Sequence, residues 1–154
     1  MTGPDGPATG DGDVPPAFAR IRADFLELSL PDRLQLLLEF SRELPDLPAR
    51  FADHPELLER VEECQAPVRA VAEVDADGIV HFYASAPPEA PTTRGFAAVL
   101  AEGFAGLTAA QVLAIPGDYP FTLGLGQAVS PLRLHGMTGM LERTKRQVRE
   151  QTAR

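Results

Sequence analysis

Residues 68–85 read VRAVAEVDADGIVHFYAS, and this stretch decides the fold. Val68, Ala70, Ala72 and Val74 alternate with Arg69, Val71 and Glu73, the period-two pattern of a strand with one buried face. Asp75-Ala76-Asp77-Gly78 is hairpin chemistry, with Gly78 free to take positive φ. Ile79 to Ser85 is β-branched and aromatic and makes the returning strand. Val61 to Glu63 is expected to pair on the far side as a short strand. That leaves Cys64-Gln65-Ala66-Pro67 as a loop, where Pro67 has no N–H to give a central strand.

Outward from the hairpin, the period changes to helical on both sides. Phe18, Ile21, Phe25 and Leu28 recur at helical spacing, and Leu34, Leu37, Leu38 and Leu44 form a second stripe. Ser29 and Pro31 suit the start of that second helix, with Asp32 at a capping-box position, and Pro45 and Pro48 end it. One or two helical turns are expected over residues 53–60. After Pro91, Phe96, Val99, Leu100, Gly103 and Phe104 share a face. Thr108-Ala109-Ala110-Gln111 is a capping box. Residues 116–129 are loop-rich, with a turn of helix around Phe121 to Leu125. Ser130-Pro131 opens a last helix, whose inner stripe is Met137, Met140, Leu141, Thr144 and Val148. Helices, a small antiparallel sheet of about three strands, then helices make an α+β domain in two layers. Residues 1–14 hold no apolar face and read as a disordered tail, leaving 15–154 as a single domain.

The chain has 154 residues and a formal net charge of −8. That balance argues against a nucleic-acid partner, which needs a basic surface, and against docking on an anionic membrane. No apolar run approaches the ~20 residues of a membrane span, and no secretory signal is visible. The expected location is the cytoplasm. One cysteine, Cys64, excludes an internal disulfide and a cysteine-rich metal site. His54, His81 and His135 show no HxH or HExxH spacing, so no metal site is expected. Gly124-Leu125-Gly126 is neither a dinucleotide fingerprint nor a P-loop. Gly136 and Gly139 lie inside the last helix, where each costs roughly 1 kcal/mol against Ala, and close helix packing is the plainer account of them.

Cys64 carries the chemical question. A lone cysteine is commonly a small buried hydrophobe. Its place in a polar loop favours a reactive thiol instead, although Glu62 and Glu63 disfavour the thiolate. Any activation must come from residues distant in sequence, such as Arg94 or Arg133, or from a partner. Arg133 projects from the first turn of the last helix, where a cation is unfavourable to the dipole. It either pairs with an acid such as Glu62 or Asp118, or faces the cysteine loop.

Four blocks together resemble the SufE family of sulfur acceptors. LLLEFSRELP (36–45) is like the family's helix ending in leucine-proline, and VEECQAPV (61–68) is similar to its V-x-G-C-Q-S-x-V loop. TRGFAAVL (93–100) matches its [KR]-G helix, and VSPLRLHGM (129–137) resembles its S-P-S-R helix start. The departures are Glu63 for Gly, Ala66 for Ser, Arg69 for Trp, Leu132 for Ser and Ala128 for His. Cys64, Gln65, Gly95, Arg133 and Gly136 keep the pattern. The resemblance implies that Cys64 accepts persulfide sulfur from a SufS-like cysteine desulfurase, enhances that enzyme, and passes the sulfur to a SufB-like iron–sulfur scaffold. Gln65, Arg94, Arg133 and Gly136 would support the thiolate or the docked partner. Pyridoxal phosphate belongs to the desulfurase, and no cofactor is expected on this chain. A non-catalytic adaptor on the same fold, or a binding module with a core cysteine, are the alternatives.

Overall fold

The computed structural model describes residues 14–153, so the expected N-terminal tail lies, but for Val14, outside the described residues. The elements run α1 (Pro16–Leu26), α2 (Leu30–Ser41), α3 (Ala49–Ala52), β1 (Glu59–Arg60), β2 (Arg69–Val74), β3 (Val80–Ser85), α4 (Pro91–Phe104), α5 (Ala109–Leu113) and α6 (Pro131–Thr152). Short 3-10 turns occupy Pro55–Leu57 and Tyr119–Leu123. The sheet is antiparallel in the order β1-β2-β3, and α4 and α6 pack on it. This is the α+β architecture that the alternating middle and helical flanks imply.

The long hairpin follows the register its sequence asks for, with Val71 opposite Tyr83 and Glu73 opposite His81. Val68, Ala70 and Ala72 are buried on the inner face. The first strand differs from expectation. It lies at Glu59–Arg60, two residues before Val61, opposite Ala70 and Arg69. The cause is local: the Cys64 N–H turns back to the Val61 carbonyl at 3.1 Å, so the chain curls away after Val61. The helical turns expected over 53–60 are an earlier turn at α3 and the 3-10 turn at Pro55–Leu57. The late turn ends at Gly124, whose φ is +70°.

The helix starts divide into two kinds. Thr108 forms the full capping box with Gln111, and the Ser130 hydroxyl accepts the Arg133 N–H. Ser29 precedes α2 in extended backbone but makes no side-chain cap bond. In α4, a side chain at Gly95 would run into the Leu37 carbonyl, so the glycine sets how closely α2 and α4 approach.

Because β1 has only two residues, the rest of that edge of β2 needs another partner. Two glutamines one turn apart on α6 supply it. Gln147 accepts the Ala72 N–H at 2.7 Å. Gln151 accepts the Val74 N–H at 2.9 Å and donates to the Ala72 carbonyl at 2.8 Å. These amide side chains stand in for a missing strand and satisfy an edge that would otherwise be open to pairing. They also fix the rotation of α6 about its axis, and hence which of its residues face the cysteine loop.

Candidate functional site

The residues between Val61 and Val68 form a closed loop. Its ends are held by the Val61 N–H donating to the Val68 carbonyl at 2.9 Å, and both valines are buried. With these side chains anchored in the core, residues 62–67 must leave the sheet and return within a short span. Cys64 points inward and is only 7% exposed. Its thiol donates to the Gly136 carbonyl across 3.6 Å.

Gly136 and Gly139 make that approach possible. A Cβ on Gly136 would stand 3.0 Å from the Cys64 Sγ and 3.4 Å from the Glu63 carbonyl. A Cβ on Gly139 would stand 2.6 Å from the Glu63 Cδ. The two glycines therefore open a notch on α6 for the loop itself. Their close packing is real, but the partner is the cysteine loop.

The thiol is held protonated. Burial pushes Cys64 up to about 11, and the adjacent Glu63 carboxylate adds to the rise, while Arg143 and Arg60 pull the other way. Glu63 is itself held below the usual carboxylate range, chiefly by its hydrogen bonds from Arg143. Arg143 Nε donates to Glu63 Oε1 at 2.7 Å, and its Nη2 reaches Oε2 at 3.3 Å. Sequence reasoning misses Arg143 as a site residue. It lies 80 positions from Glu63, and its only signal is spacing: residues 136, 139 and 143 fall on one helical face.

A cavity of about 320 Å³ opens beside the thiol, between the loop and the first turns of α4 and α6. Cys64, Gln65, Glu89, Thr92, Leu132 and Arg133 line it. Leu132 is 51% exposed at this site, an apolar side chain where the family pattern has Ser. Gln65 is exposed, and Gly136 forms part of the wall. Arg133 reaches across to Thr92, with Nη1 3.3 Å from the hydroxyl oxygen. Among the described residues it forms no ion pair with Glu62 or Asp118. Nor is it the cation that opposes the Glu63 charge at the thiol, a part taken by Arg143 and Arg60.

Arg94 does not join this site. Its guanidinium donates to the Ser41 carbonyl at 2.8 Å and the Ala86 carbonyl at 2.6 Å, tying the end of α2 to the exit of β3. Its basic side chain is used in packing, because both carbonyls lie at or past the last residues their own elements can satisfy. The histidines are also elsewhere. His54 sits 3.1 Å from Glu56, and His81 sits 2.8 Å from Asp75. His135 is exposed on α6. Among the described residues no group of His, Cys, Asp and Glu could hold a metal ion, and no helix is long and apolar enough to cross a membrane.

A small α+β domain that seats one thiol in a loop against a glycine notch defines a single-cysteine class of protein, with a cleft open beside the sulfur. The chain belongs to the SufE family: the model of the SufE Fe–S metabolism associated domain matches residues 19–148. Its role is therefore in iron–sulfur metabolism. It is 45% identical over 142 residues to an uncharacterized SufE-like protein of Mycobacterium tuberculosis, covering 92% of this chain and 98% of that one. It is 28% identical over 131 residues to SufE-like protein 1, chloroplastic/mitochondrial, of Arabidopsis thaliana, covering 84% of this chain and 34% of that longer protein. The solution structure of a hypothetical protein from Thermus thermophilus superposes with a TM-score of 0.79 at 36% identity, over 92% of this chain and 99% of that one.

Proposed function

We propose that Cys64 is a sulfur acceptor. The thiolate attacks the outer sulfur of a persulfide held on a cysteine desulfurase. A new S–S bond forms to Cys64, the old S–S bond breaks, and its electron pair leaves with the desulfurase cysteine as a thiolate. The proton lost from Cys64 is balanced by the thiolate released on the desulfurase, and because one S–S bond replaces another the exchange needs no oxidant or reductant. The sulfur then passes to an iron–sulfur scaffold. Pyridoxal phosphate works in the desulfurase, and this chain's part needs only a thiol, a cleft and a route of approach.

The observation that carries this reading is the chain's sole cysteine, seated in a loop beside an open cavity in a SufE domain. With no second thiol in the chain, an internal disulfide cannot consume the bound sulfur. Arg133 and Gln65 stand beside the thiol in the same cavity, where a cation and an amide can receive a persulfide anion or the incoming partner. The resting thiol is the obstacle. With a value near 11, about one molecule in ten thousand is ionised at pH 7. Transfer therefore requires the loop to leave its notch when the partner docks.

Mass spectrometry after incubation with a desulfurase and L-cysteine tests this. The expected result is a gain of one sulfur, about 32 Da, on Cys64, removed by a thiol reductant. Cys64→Ser should fold, take no sulfur and fail to stimulate the desulfurase. Complex formation without the adduct would replace the carrier reading with that of an adaptor.

A further inference from the structure

We propose that Glu63 and Arg143 form a latch that holds the cysteine loop inward, and that its release exposes Cys64. This rests on the reading of Cys64 as a sulfur acceptor, but it concerns the free protein and can be tested without a desulfurase.

The first observation is adjacency. Glu63 and Cys64 are neighbours in the loop, and both side chains seat on α6, at Gly139 and Gly136. Moving one outward must move the other. The Cys64 seat is a weak sulfur contact at 3.6 Å, whereas the Glu63 seat is a two-pronged ion pair. The charged seat is therefore the one that sets how firmly the loop is held.

The second observation is an asymmetry between the two acids that share Arg143. Glu59 lies on β1 and is held by Arg143 Nη1 at 2.5 Å, by Gln147 Nε2 at 3.0 Å and by Arg146. Among the described residues, Glu63 accepts side-chain hydrogen bonds only from Arg143, with His135 a weaker electrostatic influence that makes no bond to it. When the pair opens, Arg143 keeps Glu59, so no half-buried cation is stranded. One acid is a fixed post and the other a detachable hook. The hook is Glu63, which stands where the family pattern has a glycine that could make no such bond.

The test is iodoacetamide alkylation of Cys64 in the free, full-length chain, and it separates a latch from simple electrostatics by sign. Arg143 favours the thiolate through its charge, so if charge alone matters, Arg143→Gln slows alkylation. If Arg143 holds the latch, the same change speeds it, by about tenfold at neutral pH out of the roughly hundredfold that the depressed ionisation leaves available. Arg50→Gln removes a comparable pair with Glu73 away from the loop and should leave the rate unchanged. An unchanged or slower rate in a cooperatively folded Arg143→Gln chain overturns the latch. Should that variant not fold, hydrogen exchange of the Cys64 amide in Glu63→Gln decides. Faster exchange there, with β2 amides unaffected, supports the latch, and unchanged exchange overturns it. Sulfur uptake by the wild type with no gain on Arg143→Gln sinks the latch alone. A gain with no uptake in the wild type sinks the carrier reading alone.

Discussion

Two loops leave opposite ends of β2, and they are built on different principles. The one at residues 75–78 is held mostly from within, with one distant bond from the Ala109 N–H to the Gly78 carbonyl at 3.0 Å. The Asp75 carboxylate accepts the Asp77 N–H at 2.8 Å and the Ile79 N–H at 3.0 Å, and Gly78 takes a φ of +83°. The one at residues 62–67 is held from afar. Its thiol meets Gly136, its acid meets Arg143, and both side chains sit in a notch on a helix 72 or more positions away. A turn closed by its own side chains has one preferred state. A loop held by a distant helix has a second state whenever those contacts open, and that is what a gated thiol requires.

The largest expected effect comes from filling the notch. In Gly136→Val, a Cβ already stands 3.0 Å from Sγ and 3.5 Å from the Cys64 Cα, and the added methyl groups press further on the loop, so Cys64 should swing out. Alkylation at pH 7 should rise by up to about a hundredfold as the thiol returns towards its ordinary value. The stability loss should stay near the ~1–3 kcal/mol of ordinary overpacking, because the loop can yield. A large loss of stability with an unreactive thiol would mean that the loop is rigid core.

Second is the pH dependence of stability. Between the ordinary thiol value near 9 and about 11, the unfolded chain releases the Cys64 proton and the folded chain keeps it. The unfolded state then binds fewer protons, so stability falls as pH rises through that window and the full contribution is present below it. Relative to Cys64→Ala, urea melts should show an excess loss of at most about 2.7 kcal/mol. Loop opening reduces it, because an open loop lets the thiol ionise without global unfolding. An excess at that ceiling would indicate a loop that does not open.

Third is Gly139→Ala. The new Cβ would displace the flexible end of Glu63 and leave the backbone alone. Removing a helix glycine gains about 1 kcal/mol, and losing the ion pair offsets that by a similar or smaller amount. Melting should change little while alkylation rises about tenfold, a separation of stability from reactivity that the latch requires.

The same contrast explains what the sequence can tell. The 75–78 turn is readable residue by residue, because Asp75 and Gly78 act within four positions of each other. The capping box at Thr108 and the inner stripe of α6 are readable for the same reason. The identity of Cys64 as the candidate thiol is readable from its motif. Its burial is not, because the notch depends on how far α6 is rotated, and the bonds of Gln147 and Gln151 to β2 set that. Arg94 and Arg133 stand out as basic residues inside motif blocks. One is occupied by carbonyls of α2 and of the β3 exit, and the other lines the cavity. Arg143 lies outside every motif block, and only its helical spacing from Gly136 and Gly139 marks it.

The smallest expected effect is at the 75–78 turn, and it tests whether the two loops are independent. Gly78 sits at a φ of +83° with nothing within 4 Å of a would-be Cβ, so Gly78→Ala meets no steric wall. Its cost is conformational, about 1–2 kcal/mol for a left-handed alanine. The unfolded chain also loses freedom, which offsets about 0.4–1 kcal/mol of that. The net loss should be near ~1 kcal/mol, and Gly78→Asn should lose less because asparagine visits this region more readily. Urea midpoints measure both. The decisive reading is Cys64 alkylation in the same Gly78→Ala chain. The loops are joined through β2, whose ladder to β3 runs without a break from Arg69 to Val74, and through the Ala109 N–H bond to Gly78 at the start of α5, so a strained turn reaches the thiol only through regular hydrogen-bonded elements. The rate should match the wild type. A faster rate would show that β2 transmits strain between its ends, and the cysteine loop would then answer to the whole sheet as well as to its latch.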